Sequence, residues 1–266
     1  MRISIDHVTH YTYDEPVRAS TQYLRLTPRD NTRQRILSWR LDTPGTPVAT
    51  FDGYGNILHV LTIDTPVNEI RIRALGEVET SAVVDQPADF NGVVLSPLLF
   101  LRSTTLTAAD EVLAAFAERY RRRIGTLTGV RELAGAIHKK MPFKAGETHV
   151  SSSAAEAFKI GSAVCQDHAH VFLACCRHLG VPARYVSGYV YSPGHAEVHV
   201  ASHAWAEAWV LDRWHSFDIA NNCPAGESHV KLAVGGDYLD ACPIRGARTG
   251  GGTESMLAAA HVTADQ

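Results

Sequence analysis

The sequence is first informative for what it lacks. It has no apolar run of the ~20 residues that a membrane-spanning helix needs. Its formal net charge is only -3 over 266 residues, so there is no electrostatic reason to expect nucleic acid or an anionic membrane as a partner. The polar, alternating N-terminal residues do not resemble a secretory signal. We therefore expect a chain that binds neither a membrane nor nucleic acid.

A disulfide framework is also lacking. The chain contains five cysteines, an odd number, and Cys175 and Cys176 are adjacent within one apolar segment. Thiols in this arrangement are typical of a reducing compartment, so we expect a cytoplasmic protein. Hydrophobic residues make up 45% and charged residues 20% of the chain, as in a soluble globular protein of one large or two modest domains.

The first hundred residues alternate between apolar and polar positions, as strands with one buried face do. The clearest run, from Ile57 to Ile63, follows a turn-forming Asp-Gly-Tyr-Gly-Asn segment at residues 52–56. Prolines interrupt the other runs at turn-like spacings. Several short strands punctuated in this way predict an antiparallel β-sandwich in residues 1–100.

Helical periodicity replaces this alternation after Leu106. An apolar stripe that includes Leu113 and Phe116 predicts one helix, a second is expected over residues 130–140, and a short third one starts at Ser153. The whole pattern predicts an α+β fold, with a mixed core in residues 101–266. The final residues, up to Gln266, are expected to fray or to form a short Ala-rich helix.

Cys165 opens an apolar stretch with helical spacing. Gly180 is suited to the position just after such a helix, so Cys165 lies at or near the helix N-terminus. The helix dipole and the free backbone N–H groups there favour a thiolate and can stabilise an oxyanion. A buried, inert thiol is the alternative, and it is the better interpretation for the adjacent pair Cys175 and Cys176.

Two later segments supply partners for this thiol. Side chains alternate from His203 to Val210, as on a pleated strand, and residues 211–213 can turn the chain so that Asp218 returns toward His203. A thiolate nucleophile needs a nearby base, and that base needs a group to orient it. We therefore predict Cys165 as nucleophile, His203 as base and Asp218 as the orienting group. Otherwise His203 is a packed strand residue and Asp218 a turn former.

Fourteen histidines raise the question of a metal site. His195, His199 and His203 are spaced by four, which on a helix would form one metal-binding face. The Pro-Gly pair at 193–194 argues against a helix, and on a strand each step of four residues covers about 13 Å. No metal and no other cofactor is predicted, and zinc is the minor alternative.

A longer pattern surrounds Cys165, His203 and Asp218, and it comprises Gly161, Val164, Cys165, Gln166, Asp167, Ala169, residues 179–189, residues 202–207, Phe217, Asp218, Asn221 and Asn222. This pattern resembles that of the bacterial transglutaminase-like proteins, often described as transglutaminase-like cysteine proteases. The resemblance implies a papain-like core in which Cys165 is the nucleophile, His203 the base and Asp218 the orienting residue. Two small departures affect loop geometry: Ala163 replaces the usual Gly, and Ile219 replaces a common Pro.

The N-terminal region is similar to the β-domain of the same family, so the resemblance covers nearly the whole chain. This second likeness is carried by residues 11–13, 16–17, 24–29, Gln34, Trp39 and residues 52–56, with Arg245 and Gly246 near the C-terminus.

The predicted reaction is attack of the Cys165 thiolate on an amide or isopeptide carbonyl of a peptide or protein, which gives a thioester acyl-enzyme. Water attack on the thioester gives hydrolysis, and amine attack gives transglutamination. We favour hydrolysis, because water needs no second binding site and the chain has no evident Ca²⁺ loop. A non-catalytic binding module is the alternative of another class. The sequence indicates neither the individual substrate nor an oligomeric state.

Overall fold

The computed structural model describes residues 1–82, 95–193 and 202–265. These residues form two antiparallel sheets and five α-helices, so the predicted α+β class is confirmed. None of the helices in this described part is long and apolar enough to cross a membrane. The strands are β1 (Arg2–Leu24), β2 (Gln34–Asp42), β3 (Val48–Phe51), β4 (Ile57–Ile63), β5 (Val67–Thr80), β6 (Ala183–Val190), β7 (His203–Val210), β8 (Arg213–Phe217), β9 (His229–Gly235), β10 (Ile244–Gly250) and β11 (Glu254–Asp265). The helices are α1 (Glu111–Glu118), α2 (Leu127–Lys140), α3 (Ala154–Ile160), α4 (Cys165–His178) and α5 (Tyr238–Ala241), and a 3₁₀ helix spans Pro97–Leu101.

The first sheet is built on β1, a strand of 23 residues whose inward side chains Ile3, Ile5 and Val17 are buried. Its first half pairs with β5 and β11, and its second half with β4 and β10. The strand order is β2-β5-β1-β4-β3, with β10 and β11 added on β1. The predicted antiparallel β region is therefore present, and hydrogen bonds join its strands into one sheet.

The C-terminal residues correct the expectation of a frayed end or a short Ala-rich helix. Glu254–Asp265 is strand β11, which pairs in register with β1 from Tyr13 back to Arg2. Alanine favours a helix in isolation, but β1 offers backbone partners along the whole segment, and Ala260 is buried in the core. Because β10 joins β1 as well, the hydrogen bonds of the first sheet cross the predicted division at residue 100.

The second sheet has the order β8-β7-β6-β9, and helix α4 packs against β6 and β7. Helices α1, α2 and α3 also contact α4, so its residues from Gln166 to Arg177 are all buried. The predicted helix start at Cys165 is confirmed. Helix α2 begins earlier than predicted, because the Thr126 hydroxyl accepts a hydrogen bond from the Gly129 N–H and caps it there.

Side-chain amides from the first sheet cover the open edge of the second. Gln34 donates from Nε2 to the Lys231 carbonyl and accepts the Lys231 N–H at Oε1, both at 2.8 Å. Asn56 makes the same pair of hydrogen bonds with Val234, again at 2.8 Å. Each amide thus gives β9 one donor and one acceptor, as a neighbouring strand would. The first sheet therefore fixes β9, which carries part of the site described below.

Candidate active site

Cys165 is the first residue of α4 and is partly exposed, whereas the helix that follows is buried. Val164, just before it, has no side-chain oxygen with which to cap the helix. Instead the Val164 N–H donates to Asp167 Oδ2 at 2.9 Å, and Thr148 Oγ1 donates to the same oxygen at 2.7 Å. Burial raises the pKa of Asp167, and these hydrogen bonds oppose that rise. The Asp167 carboxylate, in the first turn of α4, therefore anchors the turn that holds Cys165.

The residues on both sides of Cys165 are tied to the loop of residues 142–150. Two backbone hydrogen bonds, at 3.0 and 3.2 Å, join this loop to Ala163. On the other side, Gln166 Nε2 donates to the Val150 carbonyl at 2.9 Å. The loop therefore holds the start of α4 in one position relative to the rest of the core.

The two departures from the family pattern are accommodated without strain. Ala163 is fully buried and is not among the described residues with a left-handed backbone, so a glycine is not needed there. Ile219 is also buried, and its carbonyl accepts a hydrogen bond from His138 Nδ1 at 3.0 Å.

A two-residue hairpin brings His203 and Asp218 together. Leu211 and Asp212 both have left-handed backbone, with φ of 53° and 57°, as in the type I′ turns whose twist matches that of the flanking strands. The turn sets the register of β7 and β8. At the far end of this pair, His203 Nε2 donates to Asp218 Oδ2 at 2.7 Å, with side chains that are 11% and 0% exposed.

The Cys165 side chain lies close enough to the His203 imidazole to act on its pKa. Because Nε2 is used by Asp218, Nδ1 is the ring nitrogen that remains for the thiol. Burial lowers the pKa of His203, but the interactions with Asp218 and Cys165 outweigh it and raise the pKa to about 10. Burial likewise opposes ionisation of Asp218, yet its histidine partners hold its pKa well below the usual range. The structure thus brings the three predicted residues together around an imidazolium.

Two further residues hold Asp218, and sequence reasoning did not assign a role to either. Asn221 donates from Nδ2 to Oδ2 at 2.7 Å and from its backbone N–H to Oδ1 at 3.1 Å. His229 donates from Nε2 to Oδ2 at 2.9 Å. Asn221 lies within the family pattern, but only the pairing of β9 with β6 brings His229 into the site. In the sequence, His229 looks like any packed strand histidine.

His203, Asp218 and His229 have potential metal ligands within 4.8 Å of one another. The hydrogen bonds do not fit a metal ion, however. The Gly226 N–H donates to His229 Nδ1 at 3.2 Å, so the proton of a neutral His229 ring is on Nε2, the atom that faces the cluster. Of the earlier metal candidates, His195 and His199 lie outside the described residues.

Two family models match separate parts of this chain. Residues 114–219 match the transglutaminase-like superfamily, and residues 3–79 match the bacterial transglutaminase-like N-terminal region. An uncharacterized protein of Mycobacterium leprae is 30% identical over 275 residues, which cover 98% of both chains. The chain belongs to the transglutaminase-like superfamily. This membership supports cysteine-dependent protease or acyl-transfer chemistry.

Two further proteins are similar to this chain over most of its length. An uncharacterized protein of Mycobacterium tuberculosis is 28% identical over 274 residues, which cover 92% of this chain and 87% of the relative. Among solved structures, a candidate cysteine protease from Cytophaga hutchinsonii superposes with a TM-score of 0.78. It is 21% identical, and the match covers 100% of this chain and 92% of that chain, so the two proteins share their fold.

Proposed function

We propose that this protein is a cysteine-dependent hydrolase that cleaves an amide bond of a peptide or protein. One observation carries the proposal. A partly exposed thiol at a helix N-terminus lies beside a histidine whose Nε2 is held by a buried carboxylate. A nucleophile, a base and an orienting group in that order are what acyl transfer through a thioester requires.

The proposed first step is acylation. Cys165 Sγ attacks the carbonyl carbon as a thiolate, and the Cys165 backbone N–H, free at the start of α4, donates to the oxyanion. The C–N bond then breaks, and the His203 imidazolium gives its proton to the departing amine. The raised pKa of His203 keeps this proton available at neutral pH.

The second step is deacylation. His203, now neutral, takes a proton from water while the water oxygen attacks the thioester carbon. The C–S bond breaks, a carboxylic acid leaves, and the thiolate and imidazolium are restored. Asp218 holds the ring in one orientation through both steps. No metal or other cofactor enters the proposed cycle.

The decisive experiment separates three outcomes. The purified protein is incubated with peptide and isopeptide libraries in H₂¹⁸O, with and without a labelled primary amine, and the products are read by mass spectrometry. Hydrolysis predicts ¹⁸O in the released carboxylate, and transglutamination predicts incorporation of the amine. Turnover that persists in Cys165→Ala, or that a chelator abolishes, would overturn the cysteine mechanism. An unreactive Cys165 would instead favour the non-catalytic module.

A further inference from the structure

The arrangement around Asp218 contains one more histidine than the proposed reaction needs. Oδ2 of Asp218 accepts three side-chain hydrogen bonds, from His203 Nε2 at 2.7 Å, from Asn221 Nδ2 at 2.7 Å and from His229 Nε2 at 2.9 Å. Both imidazoles therefore point at one carboxylate oxygen. The His229 side chain is 2% exposed, so it is part of the buried support of the site.

The tautomer of His229 is fixed by its other nitrogen. The Gly226 backbone N–H donates to Nδ1 at 3.2 Å, and the Ser228 hydroxyl lies 3.0 Å from the same atom. A backbone N–H can only donate, so Nδ1 must accept, and Nε2 then carries the hydrogen that Asp218 receives. Burial lowers the pKa of His229 and so keeps the ring neutral, although Asp218 opposes this effect.

The position of the His229 ring is fixed by its surroundings. The Trp205 ring packs edge to face against the His229 ring, with ring centroids 5.3 Å apart. Trp205 also stacks on the His203 ring, with centroids 6.2 Å apart. The loop that supplies Gly226 is held from the first sheet, because Arg33 and Thr80 donate to the carbonyls of Ala225 and Glu227. Besides Asp218, the charged or titratable groups that act on His229 are His203 and Arg33.

We propose that His229 is a positioning residue for the reaction. Its fixed N–H donor holds Oδ2 of Asp218 in line with His203 Nε2, so that the carboxylate keeps the catalytic ring oriented and charged. This inference rests on the proposed function, since it assigns His229 a role through the residues of that mechanism. Without this donor, Asn221 and His203 are the remaining side-chain partners of Oδ2, so the carboxylate is held less firmly in line with Nε2 and the imidazolium loses part of its stabilisation.

The test compares His229→Met, which has no donor, with His229→Gln, whose amide places an N–H near the position of Nε2. The readout is the rate at which iodoacetate, an anionic probe that the imidazolium attracts, alkylates Cys165 as a function of pH. In His229→Met we expect the alkaline limb of this profile to move down by at least about one pH unit, which corresponds to a tenfold change in the His203 proton equilibrium. His229→Gln should keep the alkaline limb close to its wild-type position.

A matched control distinguishes positioning from packing. His7 is also buried, but its side-chain hydrogen-bond partners are Tyr189 and Thr9 rather than Asp218. His7→Met should lower stability without moving the alkaline limb. A His229→Met profile that coincides with those of wild type and His7→Met would overturn the proposal.

A second measurement uses only the wild-type protein, so it does not depend on whether a variant folds. Nitrogen NMR of the wild-type protein with labelled histidine should show His229 as the neutral tautomer protonated at Nε2 across pH 5–8. A charged ring, or one protonated at Nδ1, would refute the inference. If instead Cys165 of the wild type is not alkylated selectively, the proposed function fails, while the NMR result still reports on His229.

Discussion

At the residue scale, Cys165 and Cys223 provide a matched comparison of thiols. Both have access to solvent, but Cys165 starts a helix and lies beside His203, whereas burial and the nearby Asp218 raise the pKa of Cys223. Burial alone raises the pKa of Cys175 to about 12. We expect iodoacetamide at pH ~6, well below the usual thiol pKa of ~8.5, to label Cys165 first. Peptide mass spectrometry after limited reaction checks the order, and faster labelling of Cys223 would contradict the assignment of the nucleophile.

A second prediction at this scale concerns Asp218→Asn. The amide can offer an N–H to His203 Nε2, which then binds the wrong tautomer and no longer stabilises the imidazolium. We expect kcat/KM to fall by roughly 10²–10⁴-fold with little change in circular dichroism. Asp212→Asn, in the hairpin turn where asparagine tolerates the left-handed backbone, is the control and should retain activity. Unchanged kcat/KM in Asp218→Asn would remove this residue from the mechanism.

Sequence reasoning found the site residues whose positions depend on local structure. Cys165 follows from a helix start, and His203 and Asp218 follow from one hairpin with a short turn. His229 was missed because it reaches Asp218 only through the pairing of β9 with β6 and through a loop fixed by the first sheet. The local periodicity of the sequence predicts neither the order of the strands in the second sheet nor the contact between the two sheets.

At the scale of elements, the buried carboxylate of Glu207 lies on β7, two residues after Trp205. Glu207 accepts from Arg184 Nη2 at 2.5 Å and lies 2.6 Å from Lys231 Nζ, so it links β6, β7 and β9. Removing one partner of a buried charge cluster typically costs about 3–5 kcal/mol. We expect Glu207→Gln to lower the free energy of unfolding by about this amount in urea titrations.

The control for this prediction is Glu69→Gln. Glu69 pairs with His10 on the surface, with 71% of its side chain exposed, and exposed pairs contribute ~0–1 kcal/mol. Equal losses in the two variants would show that Glu207 does not join the strands. Loss of activity without loss of stability would also contradict this structural role.

Elements with a strong local signal were predicted well, and those decided by distant partners were not. Helix α4 combines apolar periodicity with a glycine stop, so its start was predicted correctly. Strand β11 has an Ala-rich sequence that favours a helix locally, and pairing with the other end of the chain reverses that preference. The predicted cytoplasmic location, the peptide or protein substrate and the absence of nucleic-acid or membrane partners stay predictions.

At the scale of the whole molecule, buried histidines predict how stability depends on pH. Burial lowers the pKa of His7 from 6.5 to about 4 and that of His170 to about 3. Below pH 6.5 the unfolded chain binds protons that these folded rings do not, so stability falls as the pH drops toward 4. For His7 alone the loss should be on the order of 3 kcal/mol.

Urea unfolding at several pH values between 6.5 and 4.5 measures this effect, because above pH 6.5 the raised pKa of His203 acts in the opposite direction. His7→Gln removes the titrating ring, so the free energy of unfolding should fall less steeply as the pH drops. His261 is exposed, and His261→Gln should leave the pH dependence of the free energy of unfolding as in wild type. A wild-type stability that does not change over this range would contradict the burial of neutral histidines.

The pairing of β11 with β1 has a consequence for how the protein is made. A ribosome releases β1 early and its neighbour β11 only after the whole second sheet, so one side of the first half of β1 stays unpaired until then. Domains usually fold from the N-terminus as they emerge, but this sheet must wait for residues that follow the second sheet. A chain that stops before Glu254 leaves the first half of β1 open to a strand from another molecule. Nascent and truncated chains therefore need protection from aggregation that the finished protein supplies for itself.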